Sequence, residues 1–214
     1  MKRYSVMCVH VLLCTFLLLY DTAFAVNKTP ARILVLGDSL SGSYGIDTDE
    51  GWVALLQNKI TKQGFDYMVI NASVSGDTTR TGLGRIESVV TQHNPAIVIV
   101  ALGGNDGLRG LAFGEIESSL ALIIERCQQD GAKVLLVGVR LPPNYGPAYN
   151  EKFAALYTDL SERYSVPLVP RMPDQVAENR ALMQADGIHP TAEAQPRIMQ
   201  NVWVGLEPML KGSE

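Results

Sequence analysis

A serine and a histidine near opposite ends of the sequence have the residue types and settings needed for nucleophilic catalysis. Ser39 follows a short apolar run and a Gly-Asp turn, where an exposed hydroxyl can attack an electrophilic carbon if a base accepts its proton. Beyond residue 25 the chain contains only two histidines, His93 and His189. His93 ends a predicted helix, whereas His189 lies in an irregular Asp-Gly-Ile-His-Pro segment, so we expect His189 to be the base. A helix N-cap is the alternative interpretation of Ser39.

Three further residues complete the chemistry that acyl transfer requires. Asp186 lies three residues before His189, and in a tight turn its carboxylate can reach one imidazole nitrogen while the other faces Ser39. The backbone amides of Ser39 and Gly76 and the side-chain amide of Asn105 are candidate donors to a developing oxyanion. Each residue also has a plainer interpretation, because Asp, Gly and Asn are common in turns.

Apolar runs alternate with helix-like segments along the chain. The predicted strands are 32–36, 67–70, 97–102, 134–139 and 166–169, and the predicted helices are 52–63, 79–93, 116–129, 149–164 and 193–210. Continuous apolar runs are typical of strands that are buried on both faces. We therefore predict an α/β fold, a three-layer α/β/α sandwich around a parallel five-stranded sheet. Ligands of such sheets bind at the carboxyl ends of the strands, where Ser39, Gly76 and Asn105 would lie.

Residues 1–25 have the features of a secretory signal peptide. Lys2 and Arg3 precede an apolar run at 6–19, and Ala23-Phe24-Ala25 matches a small-x-small cleavage site. We expect cleavage after Ala25, a single domain over 26–214 and a periplasmic or secreted location. A membrane anchor is the less favoured alternative, because a bilayer span needs about 20 apolar residues. After cleavage we expect no stable membrane anchor.

Composition and charge disfavour several other classes of function. The formal net charge is −4 at pH 7, and without Lys2, Arg3 and Asp21 it is −5, with no basic stripe that would bind nucleic acid. Cys127 is the only cysteine beyond residue 25, which argues against an internal disulfide and a thiolate metal site. Its amphipathic surroundings predict a small buried hydrophobe. No phosphate-binding glycine motif follows a predicted strand.

Four motifs, in this order, resemble those of the GDSL or SGNH hydrolase family. They are Gly37-Asp38-Ser39-Leu40-Ser41, Ser75-Gly76-Asp77, Gly103-Gly104-Asn105-Asp106 and Asp186-Gly187-Ile188-His189-Pro190. The resemblance covers nearly all of the chain beyond residue 25, and it is greatest to the periplasmic bacterial thioesterases that also act as lysophospholipases and arylesterases. It implies a flavodoxin-like sheet and a Ser39–His189–Asp186 triad. It also implies oxyanion donors from Ser39, Gly76 and Asn105, with no metal and no organic cofactor.

The resemblance also carries expectations about the substrate. It implies hydrolysis of small-molecule acyl esters and thioesters through an acyl-enzyme, and we expect the protein to act as a monomer. The expected substrate-binding residues are Asp38, Leu40, Gly104, Leu141, Pro142 and Ile188. Segment 106–113 is expected to move on ligand binding, with Gly107 and Gly110 permitting the motion. Segment 42–50 departs from the family pattern, which leaves substrate preference open. A carbohydrate O-deacetylase and a non-catalytic ligand-binding protein of the cell envelope are the alternatives.

Overall fold

The computed structural model describes residues 29–212, and the predicted signal peptide at 1–25 lies outside this range. The strands are β1 (Ala31–Gly37), β2 (Tyr67–Asn71), β3 (Ile97–Ala101), β4 (Lys133–Val137) and β5 (Leu168–Val169). The helices are α1 (Trp52–Lys62), α2 (Thr79–His93), α3 (Gly104–Leu108), α4 (Phe113–Gln129), α5 (Pro147–Tyr164) and α6 (Gln195–Lys211). Over these residues, no helix has the length and apolarity needed to cross a bilayer.

The five strands form one parallel sheet with the order β2-β1-β3-β4-β5, and both of its faces are covered by helices. Successive side chains of a strand point to opposite faces, so β1 contributes to two cores. Leu34 and Leu36 pack in the core that contains residues of α2, α4 and α5. Ile33 and Val35 pack in the core that contains residues of α1 and α6. The three-layer sandwich and the flavodoxin-like strand order are therefore confirmed.

Strand β2 differs from the prediction that the strands are buried on both faces. It forms one edge of the sheet, none of its residues is fully buried, and Met68 is 41% exposed. An apolar run by itself does not distinguish an edge strand from a central one, because the neighbours are set by topology. The central strand β3, by contrast, is buried at all five positions.

The topology brings the candidate residues to one edge of the sheet. β1 connects to β2 on one side and pairs with β3 on the other, so a crevice opens between the carboxyl ends of β1 and β3. Gly37, the last residue of β1, is in register with Ala101, the last residue of β3. Ser39 and Asn105 follow these two strand ends and therefore lie on either side of the crevice.

Cys127 is fully buried in α4 among the apolar residues of one core. Burial and, to a lesser extent, the nearby charge of Asp130 together raise the pKa of its thiol to about 12. The thiol therefore remains protonated at neutral pH, which fits its interpretation as a small buried hydrophobe.

Candidate active site

Ser39 lies on a tight turn directly after β1. The backbone carbonyl of Asp38 accepts hydrogen bonds from the amides of Ser41 and Gly42, at 3.1 and 2.9 Å, and its carboxylate accepts one from the amide of Leu40 at 3.0 Å. Gly37 permits this turn, since a Cβ there would lie 2.6 Å from the Ser41 hydroxyl. The hydroxyl of Ser39 lines an open cavity at the end of the sheet.

His189 is oriented by a short loop that Asp186 closes. Asp186 Oδ1 accepts hydrogen bonds from the amides of Ile188 and His189, at 2.9 and 3.0 Å, and Gly187 adopts a φ of +69° between them. Asp186 Oδ2 lies 2.7 Å from Nδ1 of His189. The His189 amide, the His189 imidazole and the Ile188 amide, in that order, lower the pKa of Asp186 to about 2. The carboxylate therefore remains ionised at any pH where an esterase would be assayed.

The loop that carries His189 meets the turn that carries Ser39. Nε2 of His189 lies 3.0 Å from Oγ of Ser39, so hydroxyl, imidazole and Asp186 carboxylate form one continuous chain of hydrogen bonds. The other candidate base, His93, ends α2, and its carbonyl accepts a hydrogen bond from Arg32 near the start of β1. It therefore lies at the opposite end of the sheet from Ser39.

The three predicted oxyanion donors lie near one another but differ in whether their N–H groups already have hydrogen-bond acceptors in the protein. Within 29–212, no acceptor binds the backbone amides of Ser39 and Gly76, and Gly76 has a φ of +85° that favours glycine. Asn105 Nδ2 donates to the Asp77 carbonyl at 2.9 Å and to Asp38 Oδ2 at 3.3 Å. Asn105 thereby joins the turn that follows β2 to the turn that follows β1.

Asp38 is a buried acid directly beside the serine, with only 2% of its surface exposed. Burial is the main reason that the pKa of Asp38 is raised to about 6. The hydrogen bond from the Leu40 amide and the charge of His189 oppose this rise, whereas the charge of Asp106 adds to it. Near pH 6 the side chain that accepts from Asn105 therefore changes between a neutral acid and a carboxylate.

The start of segment 106–113 is more ordered than the sequence suggested. Asp106 is buried within helix α3, and its carboxylate accepts hydrogen bonds from the amide of Thr79, at 2.9 and 3.2 Å, and from its hydroxyl at 2.6 Å. A Cβ on Gly107 would lie 2.6 Å from Leu141 and 3.0 Å from Phe153. Gly107 thus permits close packing, whereas Gly110 has a φ of +66°. Motion of the segment on ligand binding stays a prediction.

A cavity of about 450 Å³ lies beside Ser39, Asn105 and His189, and we call it the catalytic groove. It is lined by all six of the residues predicted to bind substrate: Asp38, Leu40, Gly104, Leu141, Pro142 and Ile188. Leu108 and Met183 add further apolar surface. Gly76 and Asp186 are not among the lining residues, and both are exposed. Substrate contact at these positions stays a prediction.

Several residues that support the site were missed in the sequence. The ring of Tyr44 lies 4.3 Å from that of His189, and Gln184 Nε2 donates to the carbonyls of Tyr44 and Pro190 at 2.8 and 2.9 Å. Arg109 Nη2 donates to the carbonyl of Gly76 at 3.2 Å. Apart from Gln184 and Pro190, which are six residues apart, these partners lie far apart in the chain, so no local pattern indicates their contacts.

The turn that carries Gly76 has a second missed support. Arg85 Nη2 lies 2.7 Å from the carboxylate of Asp77, and Arg85 Nη1 donates to the carbonyl of Ala72 at 2.5 Å. Both charged side chains are largely buried. The ion pair therefore fixes the backbone of Asp77, whose carbonyl is one of the two acceptors for Asn105.

Comparison with known proteins supports the resemblance inferred from the four motifs. The model of the GDSL-like Lipase/Acylhydrolase family matches residues 35–196. Esterase TesA of Pseudomonas aeruginosa is 48% identical over 83% of this chain and 89% of its own. Thioesterase 1/protease 1/lysophospholipase L1 of Escherichia coli K12 is 42% identical over 83% of this chain and 84% of its own.

Solved structures agree with the sequence relatives. A crystal structure of TesA is 47% identical with a TM-score of 0.82, covering 83% of this chain and 99% of that one. The psychrotrophic esterase EstA from Pseudoalteromonas sp. is 37% identical with a TM-score of 0.80, over 84% and 98% of the two chains. Given this fold, the family match and relatives this similar over most of its length, the chain belongs to the GDSL-like lipase and acylhydrolase family of hydrolases.

Proposed function

We propose that this protein is a serine esterase and thioesterase with Ser39 as nucleophile, His189 as general base and Asp186 as the third member of the triad. The observation that carries the proposal is the hydrogen-bonded chain itself. Ser39 Oγ lies 3.0 Å from one nitrogen of His189, while Asp186 lies 2.7 Å from the other. This arrangement lets the imidazole accept the serine proton while the carboxylate stabilises the imidazolium that forms.

The reaction proceeds in two halves through an acyl-enzyme. His189 accepts the proton of Ser39 as the hydroxyl oxygen attacks the carbonyl carbon of the ester or thioester. The tetrahedral intermediate then collapses, and His189 gives its proton to the leaving alcohol or thiol. A water molecule attacks the acyl-serine in the second half, with His189 again accepting and then returning a proton.

The developing oxyanion is bound by the free amides of Ser39 and Gly76 and by the side chain of Asn105. Both N–H groups of Asn105 have protein acceptors in the absence of substrate. The bond to Asp38, at 3.3 Å, is the longer of the two, so it is the one that a substrate oxygen displaces. Loss of one such donor typically costs about 10²–10³ in rate.

The catalytic groove favours esters with an extended acyl chain over acetylated sugars, in which the acyl group carries only a methyl and the sugar is the leaving alcohol. Leu40, Leu108, Leu141 and Met183 supply apolar walls on which methylene groups can be buried. The relatives are named esterase, arylesterase and thioesterase/lysophospholipase, which fits the same choice. Carbohydrate O-deacetylation is correspondingly less favoured. A non-catalytic ligand-binding protein is also less favoured, because ligand binding alone does not require an aligned serine and imidazole.

Labelling with a fluorophosphonate probe tests the nucleophile, because such reagents phosphonylate an activated serine. The related esterase EstA has been solved in a form inhibited by monoethylphosphonate. We expect one adduct, at Ser39, and loss of both labelling and ester hydrolysis in Ser39→Ala with an unchanged circular dichroism spectrum. Substantial turnover by Ser39→Ala, or an adduct at another serine, would refute the assignment.

The substrate class is tested by a kinetic panel on the unmodified protein. It compares p-nitrophenyl esters of increasing chain length with an acyl-CoA, a lysophospholipid and an acetylated sugar. We expect acyl esters and thioesters to be preferred over the sugar. Preference for the acetylated sugar would instead indicate a deacetylase.

We also propose that the protein is exported and acts as a monomeric single domain over 26–214. The positive start, the apolar run and the Ala-x-Ala site within residues 1–25 support export. Sequencing the amino terminus of the protein recovered from the cell envelope or the medium should give Val26 as the first residue. Size-exclusion chromatography should give the mass of one chain. Recovery with Met1 intact or as a stable dimer would contradict these proposals.

A further inference from the structure

The catalytic groove adjoins a second cavity of about 380 Å³, which we call the side cavity. Both are lined by the same four residues after strand β4: Val139, Arg140, Leu141 and Pro143. The far side of the side cavity includes Phe153 and Ala154 of α5, so part of its surface is apolar. These shared residues form the partition between the two spaces.

The partition has a rigid part and a flexible part. Leu141 is only 3% exposed and packs closely against Gly107, so it cannot move without disturbing the core. Arg140 has a long, flexible side chain, and its guanidinium donates to the carboxylate of Glu178. Glu178 also lines the catalytic groove. The Arg140–Glu178 ion pair therefore links the partition to a second segment that lines the groove.

The segment that carries Glu178 is held in place by contacts that do not involve this ion pair. Asn201 Nδ2 donates to the carbonyls of Met172 and Asp174, at 2.9 and 3.0 Å. The amide of Met172 donates to the carbonyl of Gly138 at 2.9 Å. Opening the ion pair thus releases the side chain of Arg140 while this part of the backbone stays fixed.

The cost of opening the ion pair is small. The side chains of Arg140 and Glu178 are 35% and 44% exposed. Water screens a pair with this exposure and each side chain regains conformational freedom when the pair breaks, so such pairs contribute little to stability. A substrate that gains apolar burial can therefore displace Arg140.

We propose that the Arg140–Glu178 ion pair limits the length of acyl chain that the groove accepts, and that displacement of Arg140 adds the side cavity to the groove. This inference rests on the proposed esterase function. A short chain fits the groove of about 450 Å³ with the pair closed. A longer chain must displace Arg140 before its last methylenes reach Phe153 and Ala154, which line only the side cavity. Each methylene that then becomes buried raises kcat/KM by about fourfold.

The test compares kcat/KM for p-nitrophenyl butyrate, octanoate, laurate and palmitate in the unmodified protein and in two variants. Arg140→Ala removes the flexible part of the partition, and Glu178→Gln removes the charge that holds Arg140. Because gaining two methylenes of burial multiplies kcat/KM by more than about tenfold, we expect the laurate-to-butyrate ratio to rise at least that much in Arg140→Ala. A smaller rise in the same direction is expected in Glu178→Gln.

Two further variants make the experiment specific. Arg163→Ala breaks a comparable ion pair with Glu117, between α5 and α4 and away from the groove, and should leave the ratio unchanged. The double reversal Arg140→Glu with Glu178→Arg restores the pair and should restore the original ratio. An unchanged ratio in Arg140→Ala overturns the inference, and so does an equal rise in Arg163→Ala. Failure of the unmodified protein to hydrolyse any of the esters would instead refute the proposed function.

Discussion

The ring of Tyr44 covers the imidazole of His189, with ring centroids 4.3 Å apart and planes inclined by 34°. Gln184 holds the two together, because its side-chain amide donates to the carbonyl of Tyr44 and to that of Pro190, the residue after His189. The segment at 42–46 is therefore part of the support of the proposed base. That segment 42–50 departs from the family pattern stays a prediction, and such a departure would lie where it can affect catalysis.

Replacing Tyr44 with Ala should lower kcat for a short ester by about two- to fivefold. The face of an aromatic ring stabilises a nearby cation, and His189 becomes an imidazolium when it accepts the proton of Ser39. Tyr44→Phe keeps the ring and should retain nearly all activity. The comparison is made by steady-state kinetics on p-nitrophenyl butyrate, and equal losses in the Phe and Ala variants would exclude a role for the ring. If Gln184 acts by holding Tyr44, then adding Gln184→Ala to Tyr44→Ala should reduce kcat by less than the product of the single effects.

Asp186→Asn should lower kcat by about 10³–10⁴, because an amide can donate to Nδ1 of His189 and favour the wrong tautomer. The pKa of Asp186 is lowered to about 2, so protonation of this carboxylate should not reduce activity until well below pH 4. The stability it contributes is present above its ordinary pKa of 3.8 and is lost as the pH falls towards 2. Asp159→Asn, on the exposed face of α5, serves as the control and should leave kcat unchanged. An Asp186→Asn enzyme within tenfold of the original would contradict the proposed triad.

Asp38 should make the protein less stable as the pH rises, which is opposite to the effect of Asp186, and Asp38→Asn should remove this dependence. The pKa of Asp38 is raised from 3.8 to about 6, so between these values the folded state binds a proton that the unfolded state has released. The contribution of Asp38 to the free energy of unfolding is therefore greatest below pH 4. It decreases by roughly 3 kcal/mol as the pH rises to 6 and is constant above that pH. Urea unfolding from pH 4 to 7 should show this loss in the original protein and a flatter profile in Asp38→Asn. Parallel profiles would show that the buried acid does not titrate in this range.

Gly107→Ala should destabilise the protein by about 1–3 kcal/mol and should also disturb the catalytic groove. The added Cβ would lie 2.6 Å from Leu141, a groove residue that is itself packed in the core, and overpacking of this kind is costly. Gly84→Ala is the matched control, because Gly84 is an exposed helical residue with no atom within 4 Å of its ideal Cβ. That substitution should stabilise the protein by about 0.5–1 kcal/mol. Thermal or urea unfolding distinguishes the two, and a stabilised Gly107→Ala would show that Leu141 moves more easily than its packing indicates.

The order of strands and helices, the three layers and the family were accessible from the sequence. Helical and strand periodicities are local properties, so 79–93 was predicted as the structure has it and most other boundaries lay within a few residues. The short helix α3 was missed because Gly103-Gly104 resembles a turn. Its order depends on the contact between Asp106 and Thr79, which are 27 residues apart.

By itself the sequence predicted which chemistry the chain carries, because a serine, a histidine, an aspartate and candidate oxyanion donors stand in predicted turns and loops. Only the tertiary structure decided how these groups meet. The contact between Ser39 and His189 joins residues 150 positions apart. The site also contains the contacts of Tyr44 with the imidazole, of Asn105 with Asp38 and of Arg140 with Glu178. A local sequence pattern predicts the conformation of one segment. Contacts between residues far apart in the chain depend instead on how the whole sheet and its loops pack.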